Sequence, residues 1–401
     1  MTIESTNEGQ PSRRLRLGMV GGGQGAFIGG VHRIAARLDD RYELVAGALS
    51  SDAERAKASA AELGIAPERA YGDFAEMAKT EAAREDGIDV VAIVTPNHVH
   101  YAAATAFLEA GIHVICDKPL TTTIADATDL AETVARSGLV FGLTHNYTGY
   151  PMVRQARAMV EAGEIGEIRV VQAEYPQDWL TTKLEDTGQK QAEWRTDPTR
   201  SGAGGCIGDI GTHAFNLAAF ITGLELDSIC ADLDVFVDGR RLDDNAHVLM
   251  RYNGGAKGML WSSQVAPGNE SALKVRVYGA KGGLEWAQEN PNQLWFTPLG
   301  EPTRLITRGG NGSDDVAEHA TRIPAGHPEG YLEGFANIYS DVAEVVTARL
   351  EGREPETMAT RYPTVQDGVA GVKFIAAVVE SSRRGGTWVS ASHDPVSAAA
   401  E

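Results

Sequence analysis

A chain of 401 residues with 43% hydrophobic content has material for two or three domains and a sizeable core. Its 36 Lys and Arg against 55 Asp and Glu leave a net charge of −19, which excludes nucleic acid and anionic membrane surfaces as partners. No run approaches ~18 consecutive apolar residues, the polar start "MTIESTNEGQPSRR" has no apolar signal core and reads as a frayed tail, and the scattered Cys116, Cys206 and Cys230 form neither a disulfide framework nor a CxxC pair. A reducing cytoplasm is the expected compartment.

From Arg14 the chain alternates. "RLRLGMVG" reads as a strand, "FIGGVHRIAARL" as a helix, "YELVAGAL" as a strand and "DAERAKASAAELG" as a helix ending at Gly64. "DFAEMAKTEAARED" is helical, "IDVVAIVT" a continuous apolar strand, "HYAAATAFLEAG" a helix and "HVICD" a strand. "IADATDLAETVARSG" is a helix and "LVFGLTHNY" closes the run. Strands alternating with helices predict parallel pairing, and unbroken apolar strands predict a sheet covered on both faces. This is a doubly wound domain over 15–147. After Tyr147 the texture changes. "EIRVVQAEY", "DSICADLDVFV", "AHVLMRY", "AKGMLWSSQVA", "LKVRVYG" and "GLEWAQEN" are strands separated by turns, expected to form a mostly antiparallel sheet in a second domain over 148–395. One helix near 210–223 interrupts them, residues 308–330 read as a long mobile loop, and Gly330 to Arg384 returns to helices.

Three motifs carry chemistry. The first is Gly21-Gly22-Gly23-Gln24-Gly25-Ala26, a G-x-G-x-x-A turn between a strand and a helix. Such a turn lets backbone N–H groups approach a pyrophosphate at a helix N-terminus. Gly21, Gly23, Gln24, Gly25, Ala26, Phe27 and Ile28 are the expected cofactor contacts there. The next strand ends "ALSSDAER", without the acid that pairs with the ribose hydroxyls of NAD. Ser50 and Arg55 are placed to cradle a 2′-phosphate instead, with Ser51 a further expected cofactor contact, so NAD and NADP both stay open.

"TPNHVH" and "CDKP" follow two further strands, on the edge where an open α/β sheet binds ligand. Thr95, Pro96, Asn97, His100, Asp117, Lys118 and Asn146 are expected to contact the cofactor, although His98 and His100 also read as helix-capping residues. Lys118, fixed beside Pro119, is placed to donate to a substrate oxygen and to favour alkoxide-like charge during hydride transfer. The third motif, "SGAGGCIGDIGTHAFN", sets Asp209 and His213 four residues apart, on one face of a helix. A carboxylate beside an imidazole fixes its tautomer and raises its basicity, which suits a general base.

Together "GMVGGGQGAF", "TPNHVH", "DKPL", "GEIGEI", "GGCIGDIGTH" and "VYGAKGGLEW" resemble the glucose–fructose oxidoreductase, inositol dehydrogenase and rhizopine catabolism (Gfo/Idh/MocA) family over nearly the whole chain. The resemblance implies an N-terminal Rossmann domain and a C-terminal α/β domain with a large open sheet often used for oligomerisation, here a homodimer or homotetramer. It implies oxidation or reduction of a sugar or cyclitol carbon by a nicotinamide. On that pattern His213 is the base, Asp209 its partner and Lys118 the polarising cation. The sequence departs from the pattern at Asp117 (usually Glu), Cys206 (usually Gly) and Asn216 (often an acid). Tyr147, Asp178, Trp179, Arg195 and His327 are further substrate candidates, and Trp194 and Arg195 further cofactor candidates. Aromatic faces and carboxylates so placed suit a polyhydroxylated ring. No metal cluster is expected. The alternative activity is a glycosidase or lyase that oxidises a sugar ring only transiently.

Overall fold

The computed structural model describes residues 13–391. The first half runs β1 (Leu15–Gly21), α1 (Phe27–Leu38), β2 (Tyr42–Ala48), α2 (Ala53–Glu62), α3 (Phe74–Ala82), β3 (Val90–Val94), α4 (His100–Glu109), β4 (His113–Cys116), α5 (Ile124–Ser137) and β5 (Phe141–Leu143). The five strands are parallel in the order β2-β1-β3-β4-β5. Strands β3 and β4 are buried at every residue, as their unbroken apolar runs require. This is the Rossmann arrangement, and its β1–α1 crevice lies at the switch in strand order.

The second half runs α6 (Pro151–Glu161), β6 (Ile168–Pro176), α7 (Lys190–Arg195), α8 (Pro198–Ser201), α9 (Thr212–Thr222), β7 (Leu226–Asp234), β8 (Asn245–Tyr252), β9 (Lys257–Ser263), β10 (Lys274–Gly279), β11 (Gly282–Ala287), β12 (Gln293–Pro298), β13 (Arg304–Thr307), α10 (Asp315–His319), α11 (Tyr331–Glu351), α12 (Val365–Arg383) and β14 (Val389–Ser390). Nine strands form one sheet in the order β13-β12-β11-β10-β6-β9-β8-β7-β14. All pairs are antiparallel except β6 with β9. One face packs on α6 and α9: Val171, Val248, Leu260, Val275 and Leu284 share a core with Met152 and Leu217.

The strands "QLWFTP" and "RLIT", and the helix α6, were not expected from the sequence. The 308–330 stretch is anchored rather than mobile. Arg308 and Glu329 are both nearly inaccessible and pair at 2.9 Å, which closes the segment on itself around α10. At the chain start, Arg13 is tied to Asp89 at 2.6 Å and Arg14 to Asp40 at 2.6 Å, so the frayed reading does not hold for those two residues. The rest of that stretch, and the last four residues of the 148–395 unit, lie outside the described residues.

The last two long helices return to the first sheet. Phe335, Ile338 and Val342 of α11 join a core with Leu17, Met19, Val90 and Ile115. On the opposite side Val365 and Val372 of α12 join Leu120 and Leu130. Each such side chain contributes roughly 1.5–3 kcal/mol on burial. The C-terminal segment therefore fastens the Rossmann half to the sheet half, with the crevice between them.

Candidate active site

A cleft of about 1180 Å³ opens where the C-terminal ends of β1 to β5 face β6 and α9. Its floor at one end is the glycine turn. The turn runs close to its neighbours: a Cβ on Gly23 would lie 2.6 Å from the Leu49 carbonyl oxygen, and one on Gly29 would lie 2.4 Å from Gly22 Cα. Gly25 has φ +78°, a conformation few side chains tolerate. Ala26 offers no side-chain cap to α1. The first-turn N–H groups of that helix thus have no side-chain acceptor at the cap and face the cleft. Gly21, Gln24, Phe27 and Ile28 line this end, and Phe27 is 68% exposed.

Ser50, Ser51 and Arg55 line the next stretch. The only carboxylate in "SSDAER" before the glutamate, Asp52, is used as the N-cap of α2, accepting from the Arg55 backbone at 2.8 Å. Its commitment to the helix explains why the usual ribose acid cannot be read at this strand end. Thr95, Pro96, Asn97, Asp117 and Asn146 line the middle of the cleft. Asn97 donates to the Ser201 carbonyl at 3.0 Å, and Asp117 turns back to accept from Thr144 at 3.0 Å. The Thr95 hydroxyl and the Asn146 side-chain nitrogen are buried with no partner. Orphaned donors of this kind beside a glycine turn fit a bound dinucleotide and its carboxamide.

The far end is built from charges. Lys118 follows β4 and is joined to Pro119 by a cis peptide bond. Its amine bonds the Asp209 carbonyl and lies 3.2 Å from the Asp209 carboxylate. Arg195 reaches the same carboxylate at 3.2 Å and Gln264 at 2.9 Å. Trp194 stacks under the Arg195 guanidinium at 4.3 Å, and both line the cleft with Trp179. Burial pushes the Asp209 carboxyl up, but Arg195 and Lys118 together outweigh it and hold it well below the usual carboxylate range. It stays ionised at any physiological pH.

The expected carboxylate–imidazole pair is not formed. The chain enters α9 through a π turn over Ile207–Gly211, so Asp209 and His213 straddle an altered helical pitch rather than stacking at α-helical spacing. The hydrogen bonds of Asp209 go to Lys118, Arg195 and Gln264 instead. His213 lines the cleft with its Nδ1 unpartnered. Its ring stands edge-on to Tyr147 at 4.9 Å and to His145 at 5.4 Å. Burial, then the nearby Lys118 and His145, lower its pKa well below the ordinary value, so the imidazole is neutral and free to accept a proton. The Tyr147 hydroxyl bonds that of Tyr175.

Three expected site residues lie outside the cleft. The two ring nitrogens of His100 face the Pro119 and Thr95 carbonyls at 2.8 and 2.9 Å, so this histidine braces two loops. Asp178 accepts from the Gly268 backbone at 3.2 Å and holds a turn. His327 is exposed, and its carbonyl is held by Arg308. His145, Tyr175 and Gln264 were missed. His145 follows β5 on the ligand-binding edge, a placement that sequence alone shows; Gln264 carries no such mark.

Residues 15–145 match a model described as an oxidoreductase family with an NAD-binding Rossmann fold. Residues 153–285 match a GFO/IDH/MocA C-terminal domain. An oxidoreductase of Bacillus subtilis, YfiI, is 39% identical over 94% of this chain and 97% of its own. The crystal structure of an oxidoreductase from Sinorhizobium meliloti is 59% identical, with a TM-score of 0.86, covering 94% of this chain and 100% of that one. An inositol dehydrogenase homolog from Azotobacter vinelandii, in complex with NADH and myo-inositol, is 38% identical, with a TM-score of 0.87, covering 94% and 98%. With the glycine turn, the ionised Asp209 cluster and the neutral His213 in one cleft, the chain belongs to the Gfo/Idh/MocA family and is an NAD(P)-dependent oxidoreductase.

Proposed function

We propose that the protein transfers hydride between a nicotinamide and a ring carbon of a sugar, sugar derivative or inositol. The convergence of Lys118, Arg195, Asp209 and His213 on one end of a cleft whose other end is the glycine turn carries this reading. The nicotinamide supplies the hydride acceptor when bound. Lys118 donates to the substrate oxygen and stabilises negative charge as it develops there. His213, held neutral by burial and lining the cleft, takes the hydroxyl proton on its other ring nitrogen, Nε2, since Nδ1 is buried. Asp209 holds Lys118 and Arg195 in place and offsets their charge in a buried setting. Trp179 and Trp194 offer faces for the CH side of a ring. The relative that holds myo-inositol supports a cyclitol or a sugar as substrate.

The reading is tested by incubating the enzyme with inositols, aldoses, anhydrosugars and glycosides in the presence of NAD or NADP. Stoichiometric growth of the reduced-nicotinamide absorbance with one class is expected. Product without net cofactor reduction contradicts it and points to transient oxidation.

Residues 15–147 and 148–395 are the proposed cofactor and substrate units. The second is also the proposed site of self-association, as a homodimer or homotetramer. Strand register places Leu249, Met259, Gln172, Arg276, Glu285, Trp295 and Leu305 in one row across the uncovered face of the nine-stranded sheet. Leu249 and Met259 at one end of the row, and Trp295 and Leu305 at the other, are 42–50% exposed, apolar ends flanking a polar centre that a partner sheet would cover. A monomeric mass by light scattering contradicts this. A cytoplasmic location is proposed on the three free cysteines; no helix among the described residues is long and apolar enough to cross a membrane.

A further inference from the structure

The segment between β6 and α9 belongs to neither sheet, yet it crosses the cleft. Its helix α7 is capped by Gln189, whose side chain accepts from the Ala192 backbone at 2.6 Å. Arg195, the last residue of α7, is tied to Asp209. Lys190 is its first residue. The Lys190 amine lies 3.7 Å from the place a Cβ would take on Gly25, and this amine is all that such a Cβ would meet. Lys190 also lines the cleft.

Among the described residues this amine has no ion pair and no hydrogen bond, although the chain carries 55 acids. Other charges on the same segment are paired: Lys183 with Asp186 at 3.2 Å, Arg195 with Asp209, and Asp197 with Arg241 at 2.8 Å. An unpaired ammonium held over a turn of backbone N–H groups completes an anion site from the opposite side. The glycine turn supplies donors without charge, so Lys190 brings a full charge to that face of the site.

We propose that Lys190, from the second domain, is a dinucleotide-binding residue that neutralises the pyrophosphate from above. Helix α7 then joins the phosphate site at Lys190 to the substrate-end carboxylate at Arg195, so that holding the cofactor also holds Arg195 against Asp209. The inference rests on the dinucleotide reading of this cleft.

Isothermal titration of the full chain with ADP-ribose tests it without any turnover. ADP-ribose keeps the pyrophosphate and lacks the nicotinamide. Lys190→Ala is expected to weaken it about tenfold, the scale of one charge-assisted contact. The dependence of affinity on salt should flatten in the same variant, because fewer charges are paired on binding. Lys190→Arg should bind within about threefold of wild type by keeping the charge. The ligand-free melting temperature should not move, since Lys190 is exposed. Equal affinity and equal salt dependence in wild type and Lys190→Ala overturn the assignment of Lys190 alone. Loss in both variants with an unchanged salt dependence overturns it as a packing effect. Failure of the wild type to bind ADP-ribose overturns the dinucleotide reading with it.

Discussion

The two ends of the cleft are built by different means. The glycine end is backbone: its donors are N–H groups, and its shape depends on what is missing from Gly22, Gly23, Gly25 and Gly29. The far end is side chain: a carboxylate, two cations, an amide and two neutral histidines, drawn from five separated stretches at Lys118, His145, Arg195, Asp209–His213 and Gln264. A backbone site is fixed by a short contiguous stretch and resists rearrangement. A side-chain site is assembled only when the whole chain has folded, and any helix that changes pitch rearranges it. The π turn before α9 does this to Asp209 and His213.

If that division is right, damage at the two ends should separate into turnover and cofactor binding. The largest effect is expected at His213. His213→Ala removes the neutral imidazole that lines the cleft near Lys118, and kcat should fall by about 10²–10⁴ with cofactor affinity near wild type. Lys118→Ala should cost about 10²–10³ in kcat on the same ground. Arg195 and Gln264 continue to hold Asp209 in that variant, so a folded protein is expected by circular dichroism. Steady-state kinetics beside direct titration of NAD would break the comparison if cofactor affinity collapsed in either variant.

The opposite pattern is expected at the glycine end. Gly23→Ala adds a Cβ 2.6 Å from the Leu49 carbonyl and 2.7 Å from the Ser59 hydroxyl, both closer than a methyl tolerates. The turn must shift, at about 1–3 kcal/mol of overpacking. NAD affinity should drop tenfold or more, with a melting temperature several degrees lower by the usual scaling of about 2–4 °C per kcal/mol. Turnover at saturating cofactor should change less than affinity. Weakened turnover with intact NAD binding would show that the turn does not hold the cofactor.

The same division explains what could be read from the sequence. The five parallel strands and the glycine turn were legible because each rests on local pattern: unbroken apolar runs at β3 and β4, and glycines at fixed offsets after β1. The order and edge of that sheet then placed Lys118 and Asn97 at the cleft. The partners of Asp209 were not legible. Spacing of four residues predicts a shared helical face, and nothing in "GDIGTH" announces a π turn. Gln264 reaches Asp209 only because β9 pairs in parallel with β6, a non-local register. The return of α11 and α12 to the first sheet was likewise hidden, since their apolar faces do not say which sheet they cover.

Acid should find the two halves differently protected. His32 and His113 lie in the Rossmann half with pKa values lowered to about 4 by burial, and His145 lies at the substrate end lowered to about 3 by burial and then Lys118. His113 must stay neutral to accept from the Val140 backbone at 2.9 Å. A histidine lowered in the folded state stabilises nothing on protonation. Its unfolded form takes up a proton below about pH 6.5, so stability is whole above that value and lost as pH falls towards the folded pKa, at about 1.4 kcal/mol per pH unit per group. Urea unfolding at about pH 7 and about pH 5 should show this loss. His145→Asn removes one titrating group at the substrate end, so the loss between the two pH values should shrink by about 2 kcal/mol while the Rossmann histidines keep theirs. An unchanged loss would mean that His145 is already protonated when folded. In that case the cation beside His213 would not be Lys118 alone, and the neutral state assigned to His213 would have to be argued again from two positive neighbours.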